Sequence, residues 1–336
     1  MNKKRYVYII FLNIILLAIW NNTYKISYQE KIIIPNNARE VCSNNDYIYY
    51  IVDENDCIDI VKLDTSKKNR EVIYKHKAES NVNILELQAI DDYLIWVENP
   101  TDYNWKIVKY NLIKNEKSIV RTFEQSNNSF VPACLNANDA FLSWYESSYN
   151  NENVLDETLV IYNIKTNEII KKNSYLYGNP YLRAYIRDDY VSYITKEDNS
   201  YYINIYNLIT KDVEKINCIS KVAKVISNGE FTVWMDDYDY RNIHVYDSKD
   251  KSYNKIEGSL NLFTFMLIHN NLYISYLEDD DGFANIYSFD LITNTKTNIT
   301  KNNNKNTSYY LSKLNADNRL LYEKVDNEKR VIILED

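Results

Sequence analysis

The stretch that decides the fold runs Asn228-Gly229-Glu230-Phe231-Thr232-Val233-Trp234-Met235-Asp236. Asn and Gly tolerate the positive φ angles of a tight hairpin turn. The residues after them are β-branched and aromatic, the composition of a strand. This strand does not alternate apolar with polar. Phe231, Val233, Trp234 and Met235 leave no polar face, the pattern of a strand covered on both sides. A sheet buried on both faces lies between two others, so this one hairpin implies neighbours like itself.

The neighbours are written in the chain. An aromatic sits within a similar apolar run at Tyr50, Trp96, Trp144, Tyr193, Trp234, Tyr276 and Tyr322, spaced 46, 48, 49, 41, 42 and 46 residues apart. Each run follows a two-residue turn signal: Asn45-Asp46, Asp91-Asp92, Asn138-Asp139, Asp188-Asp189, Asn228-Gly229, Asn270-Asn271 and Asp317-Asn318. Some 12 to 18 residues after the first six aromatics, an apolar residue is followed by Asn or Asp: Leu63-Asp64, Tyr110-Asn111, Tyr162-Asn163, Tyr206-Asn207, Tyr246-Asp247 and Phe289-Asp290. A short polar turn and another strand come next. One repeat is therefore strand, tight turn, strand, variable loop, strand, short turn, strand. Four antiparallel strands in about 40–45 residues is the arithmetic of a propeller blade. Seven copies predict an all-β, seven-bladed β-propeller over residues 25–336, built of four-stranded antiparallel blades.

The ends of the chain fit that count. The seventh repeat supplies only three strands, Ser308–Leu311, Arg319–Tyr322 and Arg330–Leu334. A fourth is available at the other end, in Lys31-Ile32-Ile33-Ile34. Its pairing with the last strand is expected to close the ring and hide the edges of an open array.

Phe231–Asp236 (FTVWMD), followed by Arg241–Asp247 (RNIHVYD), resembles the blade repeat of TolB-like propellers within the WD40-like repeat superfamily. Tyr206–Thr210 (YNLIT), echoed by Phe289–Thr293 (FDLIT), carries the same likeness. In that family a V/I-x-W-x-D strand precedes an I-Y-x-Y-D-L-x-T-G strand and turn. This sequence departs from the pattern by lacking the usual S-P-D-G turn and the Gly after the Thr. The resemblance covers residues 31–335. It implies a propeller that serves more often as a binding platform than as an enzyme.

Ahead of the repeats, Lys3, Lys4 and Arg5 precede a mostly apolar run from Tyr6 to Trp20. That is the pattern of an export signal. At about 1.5 Å per residue the run spans about 22 Å, short of the ~30 Å hydrocarbon thickness. No small-x-small cleavage site follows, because Trp20-Asn21-Asn22-Thr23-Tyr24 is bulky and polar. The expectation for residues 1–24 is one hydrophobic helix ahead of the propeller, an uncleaved signal anchor with the basic end cytoplasmic and the propeller outside. A cleaved secretory signal and a hydrophobic strand or core helix of a soluble protein are the alternatives.

Composition narrows the chemistry. The 336 residues are 45% hydrophobic and 26% charged, enough apolar material for a sizeable core and unlike a disordered chain. The formal net charge of -8 argues against nucleic acid, which is met by a basic face. The four glycines, Gly178, Gly229, Gly258 and Gly282, are isolated, so no phosphate-cradling loop or nucleophile elbow can be written from them. Cys42, Cys57, Cys134 and Cys218 show no metal spacing and read as buried free thiols, with Cys42–Cys57 the one pair close enough in sequence to suggest a disulfide. His76, His244 and His269 are scattered. No catalytic residue and no cofactor are implied.

Function is expected on loops held rigidly by the ring. Turns between strands one and two and between three and four share one face and are short. The loops between strands two and three vary in length, share the opposite face with the inter-blade loops, and are acidic and aromatic. Tyr103, Trp105, Tyr149, Asp236, Asp237, Tyr238, Asp239 and Tyr240 are the ligand-binding candidates there, suited to a cationic partner or a sugar. Asp279 and Asp281 offer oxygen ligands for calcium. A solvated rim that keeps an exported protein soluble is the plainer reading of the same residues. The composite expectation is a monomeric, single-pass, membrane-tethered extracytoplasmic propeller that binds an envelope protein or a glycan. A carbohydrate-active hydrolase or lyase on the same scaffold is the alternative.

Overall fold

The computed structural model describes residues 29–77, 82–101, 104–124, 134–149, 155–174, 183–218, 220–237, 242–257, 262–277, 283–301, 306–312, 319–326 and 329–335. They form seven four-stranded antiparallel sheets. Six sheets take their strands in chain order, beginning with Arg39–Asn44, Asn83–Ile90, Asn136–Ala137, Tyr185–Arg187, Val222–Ser227 and Leu262–Ile268. These are blades one to six of a seven-bladed β-propeller. In blade seven, Thr307–Leu311, Leu320–Asp326 and Lys329–Glu335 are joined by the N-terminal strand Gln29–Ile33, with Ile32 opposite Ile332. The hydrophobic segment 1–24 lies outside the described residues. Among the described residues no helix is long and apolar enough to cross a membrane.

Burial follows position in the blade. The second strand of blade five, Phe231–Asp236, is buried along its length up to Asp236, whereas its fourth strand, Ser252–Glu257, is mostly exposed. The strand aromatics pack between sheets. Trp96 lies with Tyr49 and Ile51 of blade one, and Trp144 with Ile95 and Val97 of blade two. Trp96 and Trp144 are fully buried, and each such side chain contributes roughly 1.5–3 kcal/mol or more by leaving water. Polar groups tie the sheets as well. Asn44, Asn138 and Asn228 donate from Nδ2 to the carbonyls of Asp91, Asp188 and His269 in the following blade, at 2.6–2.7 Å. The four cysteines are free thiols, three buried and Cys57 half-buried.

The third strands end on a repeated device. Asp64, Asn111, Asn163, Asn207, Asp247 and Asp290 each accept, at a side-chain oxygen, the backbone N–H three residues on, and in all but Asp64 the one two residues on. This satisfies donors that would otherwise face only water, and it holds the Asp64 carboxyl down to about 2. The residue after each of these six donates its N–H to the carbonyl of the second turn residue of the same blade: Asp46, Asp92, Ala140, Asp189, Glu230 and Asn270. Both short turns of a blade thus share one face, as the sequence predicts.

Two details differ from the sequence reading. The first hairpin turns of blades three, five and six are Asp139–Ala140, Gly229–Glu230 and His269–Asn270, one residue away from the predicted pairs. Asn138 and Asn228 precede their turns because their Oδ1 atoms accept the N–H groups two and three residues on. In blade six His269 takes the positive φ of 49° and Asn271 opens the strand. Tyr276 therefore sits two residues beyond the repeat position, which Ile274 occupies, and both face blade five. The predicted turn Asp317-Asn318 lies outside the described residues.

Candidate functional site

The first strands surround a cavity of about 270 Å³ on the propeller axis. Two tiers of side chains are placed there by the repeat itself. Five residues before each first hairpin turn stand Glu40, Glu86, Cys134, Arg183, Lys224 and Thr264. Three residues before it stand Cys42, Gln88, Asn136, Tyr185, Ile226 and Met266, each opposite a second-strand residue seven positions on. Blade seven adds Ser312, whose N–H bonds Leu321 across the same hairpin. Nine of these, with Leu135, line the cavity: Glu40, Asn136, Arg183, Tyr185, Lys224, Ile226, Thr264, Met266 and Ser312.

Bulges aim the upper tier. The ladder slips between Arg39 and Cys42, Leu85 and Gln88, Val222 and Lys224, and Leu262 and Thr264. An extra residue in one strand turns the local side chain out of the regular alternation. Glu40 and Glu86 carry the distortion as positive φ angles of 54° and 58°, a backbone region that disfavours a residue with a Cβ. Such strain persists only where the surroundings hold it.

The charges are asymmetric. Arg183 reaches from blade four to Glu86 of blade two in a bidentate pair, with Nη1 and Nη2 at 2.5 and 2.7 Å from its carboxylate oxygens. Burial works against the guanidinium charge, and the hydrogen bonds to Glu86 outweigh it. Nη1 also donates to the Leu135 carbonyl at 3.0 Å. Lys224 Nζ donates to Thr264 Oγ1 at 2.9 Å and to the Phe265 carbonyl at 2.5 Å. It lies 4.9 Å from the Tyr185 ring centre and 4.7 Å from that of Phe265. Among the described residues no carboxylate forms an ion pair with it. Burial first, and the Arg183 charge second, pull its amine down to about 7. Tyr185 is pushed the other way, to about 12, mainly by burial.

No family model matches the chain, and no curated protein matches its sequence. Its structure is similar to that of a prolyl endopeptidase, at 10% identity and TM-score 0.61 over 89% of this chain and 50% of that one. It is similar to oligogalacturonate lyase in complex with manganese, at 12% identity and TM-score 0.58 over 92% and 95% of the two chains. The β-propeller domain of the Trilobed protease from Pyrococcus furiosus matches at 14% identity and TM-score 0.60 over 93% and 94%. The chain is a β-propeller repeat protein. At these identities the likeness is one of fold, and the propeller spans half the length of the prolyl endopeptidase chain.

The predicted binding residues fall in different places on the propeller. Trp105 is part of the third strand of blade two, 3% exposed and stacked on Phe123 at 4.8 Å, so its ring fills the core between blades two and three instead of standing on the loop face. Asp236 accepts from His244 Nε2 at 3.0 Å, while His244 Nδ1 meets the Tyr253 hydroxyl and its ring stacks on Trp234. Its carboxylate is engaged within the blade. Asp237 is half-buried, with its N–H on the Lys221 carbonyl at 2.8 Å. Tyr149 ends the second strand of blade three. Tyr103, Tyr238, Asp239, Tyr240, Asp279 and Asp281 lie outside the described residues. Among the described residues no group of three metal-binding side chains occurs.

Two acidic residues near the loops also have internal partners. Glu98 and Glu146 accept the indole N–H of the tryptophan two residues earlier, at 3.2 and 3.1 Å. They pair with Lys117 and Arg121, both on the fourth strand of blade two, so the Glu146 pair crosses from blade three to its neighbour. The axial tiers escaped the sequence reading, which weighed turns and aromatics. Their signal is a charge interrupting an apolar first strand, as Glu86 does between Leu85 and Leu87 and Lys224 between Ala223 and Val225.

Proposed function

We propose that this propeller is a binding module, membrane-tethered through residues 1–24, with its disc outside the cytoplasm and its partner an envelope protein or a glycan. One observation supports the binding reading above others. The repeat holds turns and packing residues constant, yet at one channel position six blades present five residue types, from Glu40 and Glu86 through Cys134 to Arg183, Lys224 and Thr264. A ring that only had to pack has no use for unlike charges on its axis, since buried charge is costly unless it is matched. An asymmetric set of polar groups on a rigid frame suits recognition of one asymmetric ligand. First strands begin on the face that also bears the inter-blade and second-to-third-strand loops, so channel mouth and loops form one surface.

The test is in-membrane cross-linking of the native protein, with partners identified by mass spectrometry, run beside a variant carrying Tyr103→Ala, Tyr238→Ala and Tyr240→Ala. A specific partner that is lost in the variant supports the module. The same captured set from both proteins overturns it. The second reading, a carbohydrate-active enzyme, is favoured by the match to oligogalacturonate lyase over 95% of that chain. Incubation with oligogalacturonate tests it: absorbance from a newly formed double bond would establish a lyase, and an unchanged substrate would remove it.

A further inference from the structure

We infer that the axial cavity binds a small monocarboxylate, whose carboxylate sits against Lys224 Nζ as its missing counter-ion. The inference rests on the binding reading for the position of the ligand face. Charge accounting leads to it. Arg183, the other cation of the cavity, is matched by both oxygens of Glu86. Lys224 has two neutral acceptors, Thr264 Oγ1 and the Phe265 carbonyl, and no carboxylate partner among the described residues. An ammonium has three donors, so one N–H remains for a ligand. Hydrogen bonds to a charged acceptor are about twice as strong as neutral ones.

Size and surroundings define the ligand further. About 270 Å³ is at the small end of ligand sites, enough for a small molecule or one end of a longer one. The wall mixes the hydroxyls of Thr264 and Ser312 and the amide of Asn136 with the Tyr185 ring. Lys224 has no carboxylate within ion-pair distance among the described residues, and Glu40 on the same wall limits the ligand to a single negative charge. The acidic balance of the chain, formally -8, disfavours a polyanion. The carboxylate of a sugar acid and that of a peptide chain end share the required chemistry.

The experiment is calorimetric titration of the full chain with D-galacturonate, N-acetylglycine and acetate, each beside a neutral counterpart, galactose or acetamide, with inorganic phosphate as a further probe. Carboxylates are expected to bind and their neutral counterparts not. Galacturonate bound more tightly than acetate assigns the sugar-acid source, and N-acetylglycine bound more tightly assigns the chain end. Lys224→Met is expected to weaken binding about 10- to 100-fold, the loss of one hydrogen bond to a charged group, while Lys224→Arg retains it. A thermal melt of Lys224→Met confirms folding. Raising the pH from below 7 to well above it should weaken binding in the wild type, as Lys224 discharges among Arg183, Glu86, Glu40, Cys134 and Tyr185. Undiminished binding in a folded Lys224→Met protein, equal binding of neutral counterparts, tighter binding of phosphate, or no heat with any carboxylate overturns the inference. Carboxylate failure with the partner still lost in the tyrosine variant overturns the carboxylate site alone. Carboxylate binding with an unchanged partner set overturns the interaction module alone.

Discussion

At the scale of single residues, Lys224 sets stability against function. Its amine has a value of about 7 in the fold against 10.5 in the open chain. Between those two values the unfolded chain binds more protons than the native one, so stability from this group rises with pH across that window. Below 7 both states carry the charge and the native state bears its full desolvation. Lys224→Met removes the amine and keeps the length of the side chain. The variant is expected to melt above the wild type at pH 7 and below, with the gap closing as pH approaches 10.5. Identical pH profiles by scanning calorimetry would show that the amine is well solvated. Trp96 acts in the opposite sense. It is fully buried, so Trp96→Ala should cost about 3–5 kcal/mol in urea unfolding. Trp96→Phe should cost less and leave the Glu98–Lys117 pair in place, which near-UV circular dichroism and a double-mutant cycle can resolve. The position of Trp96 was legible from its run of apolar neighbours. The role of Glu98 was not, because its partner Lys117 is 19 residues away and only the pairing of the second, third and fourth strands brings the two together.

At the scale of elements, the turns show where sequence reading succeeds and by how much it misses. Asn and Asp mark a turn region reliably, since their side chains bond nearby backbone N–H groups. The same side chain can sit within the turn, as Asn45 does, or one residue before it, as Asn138 and Asn228 do. Only the strand register distinguishes the two, and register is set by packing. The second turn has a feature that composition concealed. Four residues after each capping Asn or Asp come Lys68, Asn115, Asn167, Lys211, Lys251 and Asn294, all with φ between 53° and 68°. TolB-like repeats use Gly at this step. Lysine there bears a left-handed conformation that costs roughly 1–2 kcal/mol, part of which Gly returns as extra freedom of the unfolded chain. Lys211→Gly and Lys68→Gly should each therefore raise stability by some tenths to about 1 kcal/mol. Asn207→Ala, which removes the acceptor for Ile209 and Thr210, should lower it by about 1 kcal/mol. Chemical denaturation of the three variants checks both signs. A neutral or destabilising Lys211→Gly would mean that the lysine side chain makes contacts that offset its strain.

At the scale of the whole molecule, the blade count was readable because packing between sheets imposes the same residue classes in every copy. The axial cavity was not readable, because its lining positions differ in residue type from copy to copy. The N-terminal strand belongs to this scale too. The strand Gln29–Ile33 pairs along the edge of Lys329–Glu335, and Ile32 and Ile34 are buried beside Val41, Ile48 and Tyr50 of blade one. One short segment thus covers the last free edge of blade seven and joins a core that includes blade one. Two apolar side chains at about 1.5–3 kcal/mol each amount to a large part of a domain stability of roughly 5–15 kcal/mol. A chain beginning at residue 29 should unfold in one cooperative transition. A chain beginning at residue 35 should lose several kcal/mol by this reckoning. It should also associate through the edge it exposes, since an unpaired strand is a template for another chain. Calorimetry and sedimentation of the two truncations separate the outcomes. Equal melting and equal monomer content would mean that the ring holds without its N-terminal strand. The apolar packing between the other sheets, with the blade-to-blade bonds from Asn44, Asn138 and Asn228, would then carry the assembly.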